Sequence, residues 1–162
     1  GGVGDRADVL KFLLENKFQN FLVSGIASPL SYNQLKKNNK FKIGGTLGGG
    51  GPLLNLKADE IIFINECAVI KIKSITLVIT KERKPFHFIK DFLDLNLDIY
   101  KFQLIVVKSG YLSPDLYNLS LPNFMILSEG VVNQDLSKIK NLHRKIPIFP
   151  FQNFKNFKPI IE

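Results

Sequence analysis

Cysteine occurs once in this chain, as Cys67, so no disulfide can form within it. Cys67 stands in the apolar run Cys-Ala-Val-Ile-Lys, where a packed core thiol is expected rather than a nucleophile. Histidine is almost as scarce. His87 and His143 lie far apart, and no His-x-x-x-His or paired-cysteine spacing occurs, so the sequence offers no recognisable metal site. Long apolar runs are missing too: none approaches the roughly 20 residues of a membrane-spanning helix, and no membrane association is expected. No basic-then-apolar leader opens the chain. The first residue is glycine in a Gly-rich turn, which leads us to expect a piece of a longer polypeptide. A cytoplasmic location follows as the expectation, with any export signal lying upstream.

What is present is an ordinary globular composition. The 162 residues fit one domain, and 45% hydrophobic against 22% charged residues allows a real core. The net charge of +8 raises the question of nucleic acid. The lysines are scattered singly through a chain rich in Lys, Asn, Ile and Phe, and no known nucleic-acid motif occurs. Nucleic acid is therefore not expected as the partner, although tight, salt-sensitive retention on DNA or RNA would reverse that view.

The stretch that organises the reading is 102–110. Leu104 to Val107 forms a short, partly β-branched apolar run, expected as a buried strand. Polarity returns at Lys108 and Ser109, and Ser113-Pro114 supplies the cap and first-turn pair of a helix carrying Leu116 and Leu119. Phe124 to Leu127 reads as a second strand. Strand, helix, strand is a crossover unit with parallel strands. Residues just past the carboxyl end of such a strand face the ligand crevice of an open sheet. That places Lys108 and Ser109 where chemistry can occur.

The rest of the chain repeats and then varies this pattern. Asp5 and Asp8 suit the start of a helix whose apolar stripe is Val9, Leu10, Leu13 and Leu14. Gly2-x-Gly4-x-x-Ala7 matches a loose dinucleotide fingerprint, but no strand precedes it and no acid ends the next strand. We reject that reading. Two remain: backbone N–H groups that hold an anion or a substrate carbonyl, or a simple helix entry. Phe21 to Val23 reads as a buried strand running into Ser24-Gly25, and Ser28-Pro29 starts a second helix ending near Lys36 to Asn39. The six-glycine stretch 44–51 lacks the Lys-Ser/Thr pair of a phosphate loop and is expected as a turn between strands. Residues 41–80 are expected to form an antiparallel meander, with Lys73-Ser74 at one of its turns. Helix signals return at Phe88, Ile89, Phe92 and Leu93. A short turn at 133–135, an extended segment at 141–150 and a poorly ordered tail complete the chain. The fold class is α/β: parallel strand-helix-strand units plus an antiparallel meander in one domain.

Several segments carry a resemblance when taken in order. They are Gly1-Gly-Val-Gly-Asp5, Val23-Ser-Gly-Ile-Ala-Ser-Pro29, Leu47-Gly-Gly49 with Gly51-Pro52, and Thr80-Lys-Glu-Arg-Lys-Pro-Phe-His87. Leu104-Ile-Val-Val-Lys-Ser-Gly-Tyr-Leu112, Gly130 to Asp135 and Arg144 to Pro150 follow. Together they resemble the C-terminal domain of the MlrC family, the microcystin-degradation-type metallopeptidases. The resemblance spans residues 1–151 and leaves 152–162 as a tail. The Asp-Asn-Pro that opens the family's glycine motif is absent, which implies truncation. In that family the zinc site belongs to the N-terminal domain. The resemblance therefore implies an accessory half of a zinc-dependent peptidase or amidohydrolase. Its partners would be the N-terminal domain of the same polypeptide and a peptide or small amide substrate. No cofactor is expected in this chain, with zinc in the other domain, and the chain alone is expected to be inactive.

Four residues are candidates for the substrate cleft. Asp5 either aligns a substrate group or the domain junction, or caps a helix. Arg83 either pairs with a substrate carboxylate in forked geometry or is the solvated end of a strand. Lys108 and Ser109 either steady developing negative charge or mark an ordinary strand-to-loop transition. His87 is expected at the surface or at a helix start, with no partner carboxylate in view. The competing class of function is a stand-alone module for a small anion, built on the glycine loops and Lys108. Poor solubility or self-association is expected of the isolated piece, through an apolar face left uncovered.

Overall fold

Two apolar runs, β1 (Phe21–Ala27) and β6 (Ile75–Thr80), lie side by side as parallel strands in the computed structural model. That structure describes residues 11–12, 14–15, 19–44, 53–109, 111–119 and 122–124. β1 also pairs in parallel with β7 (Leu104–Val107), Phe21 opposite Leu104 and Ser24 opposite Val107. On the other side β6 pairs antiparallel with β5 (Cys67–Ile72), and β5 with β4 (Glu60–Ile64). The sheet order is β4-β5-β6-β1-β7, mixed parallel and antiparallel. The α/β class expected from the sequence is the one observed.

Strands covered on both faces need apolar residues at both parities. β6 meets this condition: Ile75, Leu77 and Ile79 enter one core, while Val78 enters the other. β1 divides likewise, with Phe21, Val23 and Ile26 on one face and Leu22 on the other. The first face is covered by helix α1 (Pro29–Lys37), through Tyr32 and Leu35, and by a separate hairpin. That hairpin is β2 (Lys40–Ile43) with β3 (Leu54–Lys57), which adds Phe41 and Ile43 to the same core. The second face is covered by α2 (Ile89–Leu93), a 3-10 turn at Ile99–Lys101, and α3 (Pro114–Tyr117). Their contributions are Phe92, Ile99 and Leu116, with Phe86 and Leu95 beside them.

Local chemistry sets the helix ends. Ser28 caps α1: its hydroxyl accepts from the Ser31 N–H at 3.3 Å, and Pro29 takes the first turn, where a missing N–H costs nothing. The Ser31 hydroxyl in turn donates to the Lys42 carbonyl at 2.5 Å, which ties α1 to the hairpin. Ser113-Pro114 opens α3 in the same way. α2 has no capping hydroxyl. Instead Asp91 reaches back to the N–H groups of His87 and Phe88 at 3.0 and 2.9 Å, and Asp115 of α3 accepts from the Ile89 N–H at 2.6 Å.

Three expectations change. Residues 41–80 are not one meander. β4, β5 and β6 form it, while β2 and β3 pair only with each other. The physical reason is that Leu54 and Leu56 pack with the buried Phe41 and Ile43 against the sheet's face, so the hairpin covers the sheet instead of extending it. β1 continues to Ala27 through a bulge between Val23 and Ile26, instead of ending at Ser24-Gly25. β7 is not a fully buried strand: Leu104 is 42% exposed and the next three residues are half-buried. Among the described residues it has a hydrogen-bonded neighbour on one side only.

Lys11, Phe12, Leu14 and Glu15 are helical, and Leu14 packs against the first core. The expected strand at 124–127, the turn at 133–135, the extended segment at 141–150, the tail and most of the glycine stretch lie outside the described residues, apart from Phe124. The division into 1–151 and a tail rests on the sequence.

Candidate functional site

Because β6, β1 and β7 run in parallel, their carboxyl ends meet on one edge of the sheet. In open α/β sheets that edge faces the ligand crevice. It carries the loop from Lys81 after β6, Ser28 after β1, and Lys108 with Ser109 after β7. Backbone bonds hold the three together. The Ser28 N–H donates to the Thr80 carbonyl at 3.0 Å, and the Lys108 N–H donates to the Ser24 carbonyl at 3.2 Å.

The β1 bulge governs how closely Lys108 approaches. Gly25 has φ +81°, a conformation that side-chain-bearing residues rarely adopt. A Cβ there would stand 3.1 Å from both the Cβ and the carbonyl oxygen of Lys108. Beside it, Ser24 is wholly buried and its hydroxyl has no hydrogen-bond partner among the described residues. A buried hydroxyl without a partner is costly and uncommon. The sequence signal for this spot was a polar Ser-Gly pair inside an apolar run.

Ser109 is half-buried, and its hydroxyl donates to the Tyr111 carbonyl at 2.5 Å while the Tyr111 N–H donates to the Ser109 Oγ at 3.4 Å. Its proton thus shapes the turn that follows β7. That turn brings the Tyr111 ring to 5.6 Å from the ring of His87, and the Ser113 hydroxyl donates to the His87 carbonyl. His87 is at a helix start, as the sequence suggested, and half-buried. Its contact with Tyr111 joins residues 24 positions apart, and no local pattern announces it.

Arg83 belongs to a different part of the same edge. It is exposed beside a shallow cavity of about 190 Å³, with Asn65, Glu66, Cys67, Thr80 and Lys84 in the wall and Glu82 at its side. β1 stands between β6, which leads to Arg83, and β7, which leads to Lys108. The two cations share an edge, and the described cavity groups Arg83 with the β4–β5 turn. Asp5 lies outside the described residues.

At the floor of this cavity Cys67 is 1% exposed, and its thiol donates to the Asn65 carbonyl at 3.5 Å. Burial pushes the thiol pKa up, against the pull of the Lys84 cation, while Glu66 adds to the rise. A raised pKa leaves less thiolate at neutral pH, and the thiolate is the reactive form. Alkylation of native Cys67 by iodoacetamide at pH 7.5 is expected to be at least about tenfold slower than in 6 M urea. Equal rates in the two states would show an accessible thiol. Nearby, Lys81 binds Glu66 at 2.8 Å, and that contact holds the Glu66 carboxyl below its ordinary value and the Lys81 ammonium above its own.

Among the described residues, no three His, Cys, Asp or Glu side chains gather as metal donors. The zinc that the family resemblance implies has no donor set in these residues. Among the same residues no helix is long and apolar enough to cross a membrane.

Fold and site together define an α/β domain with a polar carboxyl edge beside its parallel strands. Residues 1–143 match the family model described as MlrC C-terminus, and the chain belongs to that family. The structure is similar to the crystal structure of a protein from Mesorhizobium sp. BNC1 that carries the name "Putative metallopeptidase". The likeness has a TM-score of 0.54 at 15% identity and covers 74% of this chain. This chain spans 28% of that protein's length. No curated protein gives a significant match.

Proposed function

We propose that this chain is the C-terminal accessory domain of a zinc-dependent peptidase or amidohydrolase of MlrC type. In this reading it packs on a metal-binding N-terminal domain of the same cytoplasmic polypeptide, and the carboxyl edge of its sheet walls the cleft for a peptide or small amide. One observation carries the reading. Arg83, Lys108 and Ser109 all follow strands whose carboxyl ends lie on one edge of the sheet. Membership of a family defined as a C-terminus, and likeness to part of a much longer protein, both support it.

Within the cleft, Lys108 supplies a positive charge toward negative charge that develops on a substrate oxygen. Its backbone is held by the bond to the Ser24 carbonyl, and the Ser109 hydroxyl beside it is engaged by the Tyr111 carbonyl. Gly25 admits the Lys108 backbone to its place.

The test is hydrolysis measured on the chain alone and on the chain joined to its natural upstream coding sequence, with zinc present. The expected result is no turnover by the chain alone and turnover by the longer protein. Lys108→Ala in the longer protein is expected to lower kcat/KM by about 10²-fold, the usual scale for one charge-stabilising group. Turnover by this chain unaided would overturn the proposal. A longer protein that binds small anions through Lys108 and hydrolyses nothing would favour a stand-alone anion module.

A further inference from the structure

The cavity at the carboxyl end of β6 has a composition that the proposed cleft does not by itself require. Its wall carries two adjacent cations, Arg83 and Lys84, over a floor made by Thr80 and the buried Cys67. Two carboxylates, Glu66 and Glu82, are also present. Glu66 is taken by Lys81 at 2.8 Å, so the remaining balance favours positive charge. Among the described residues, no carboxylate lies within ion-pairing distance of the Arg83 guanidinium. A guanidinium presents its donors in a planar fork that matches a carboxylate in bidentate fashion. The Lys84 Nζ lies over the Phe86 ring, 5.7 Å from its centre.

The size narrows the ligand. At about 190 Å³ the cavity is below the roughly 300–1,000 Å³ of sites that enclose a whole small molecule. It suits an end group. The geometry points to a carboxylate subsite, in which Arg83 and Lys84 hold the free carboxyl terminus of a short peptide while the rest of the molecule lies outside along the sheet edge. The identification of the ligand as a peptide rests on the proposed function. The site itself is a property of this chain and can be tested without turnover.

The probe is N-acetyl-dialanine with a free carboxyl end, titrated into the whole chain at 150 mM salt and followed by amide NMR shifts. Its carboxamide and inorganic phosphate serve as comparisons. Saturable shifts at Asn65, Glu66 and Lys84 are expected with the acid and not with the amide. Arg83→Gln is expected to weaken binding at least tenfold, and Arg83→Lys to weaken it less, because charge is kept and the fork is lost. Lys57→Gln, which removes a charge elsewhere, is expected to leave it unchanged, so a general attraction to a chain of net charge +8 is separated from a site. Equal shifts with the amide would overturn the inference. So would tighter binding of phosphate than of the acid, or binding that ignores Arg83→Gln. None of these results bears on whether the longer protein hydrolyses peptides, so failure here and failure of the accessory-domain reading are distinct.

Discussion

Replacing Phe92 with alanine is expected to lower the free energy of unfolding by about 3–5 kcal/mol, the range for a fully buried phenylalanine. Phe92 is 0% exposed, and its ring lies 5.2 Å from that of Phe86 at an interplanar angle of 51°. It is the one fully buried side chain of α2, a helix of five residues that also packs through the partly buried Ile89. The cost falls twice. Apolar contact is lost, and a cavity opens in the core that Phe92 shares with Leu22 and Val78, which its surroundings close only in part. Domains of this size have about 5–15 kcal/mol in hand, so the loss is a large share. Urea unfolding followed by circular dichroism measures it. Leu93→Ala, one residue on but exposed, should change stability by no more than about 0.5 kcal/mol. A similar small change for Phe92→Ala would show that α2 does not anchor the second core.

Gly25→Val is expected to cost about 1–3 kcal/mol through the backbone alone, because valine resists a positive φ more than most residues. A second effect adds to this. The new side chain begins 3.1 Å from the carbonyl oxygen and Cβ of Lys108, so the Lys108 backbone is expected to give way there by a few tenths of an ångström. The bond from the Lys108 N–H to the Ser24 carbonyl is the one most directly disturbed. Unfolding in urea reports the stability, and hydrogen exchange at the Lys108 amide reports the shift of the Lys108 backbone. Faster exchange at Lys108 with little change at the amides of β5 is the expected pattern. Unchanged exchange at Lys108 would mean that the bulge does not control the approach of β7. The variant links fold to function, since it moves the proposed cleft cation without removing it.

Much of this was legible from local sequence. Ser28-Pro29 and Ser113-Pro114 read as helix starts because a hydroxyl acceptor and a proline act within one turn of chain. The runs 67–72 and 75–79 read as strands joined at Lys73-Ser74 because apolar length and a break in it are local facts, and the second strand extends one residue further, to Thr80. Lys108 and Ser109 were placed at a strand's carboxyl end, and that is where they stand. The place of the β2–β3 hairpin is not legible locally, because its alternation suits a strand in any sheet. Only its packing on Tyr32, Leu35 and the main sheet decides which. The likeness of Arg83 and Lys108 as cleft cations also hid their separation by β1.

The sequence by itself determined the starts of α1 and α3, the paired strands either side of Lys73-Ser74, the α/β class, the family, and the want of any obvious metal-ligand spacing. These depend on periodicity, capping and motif order, which act over a few residues or can be read along the chain. Tertiary structure alone decided that 41–80 divides between two sheets, that Tyr111 meets His87, that Arg83 opens onto a cavity over Cys67, and that Ser24 is buried without a partner among the described residues. Each of these comes from contacts between segments distant in sequence, such as the Thr80 hydroxyl on the Ile26 carbonyl across 54 positions. Such pairings are selected by which apolar faces can be buried together, a property of the whole chain that no short stretch encodes.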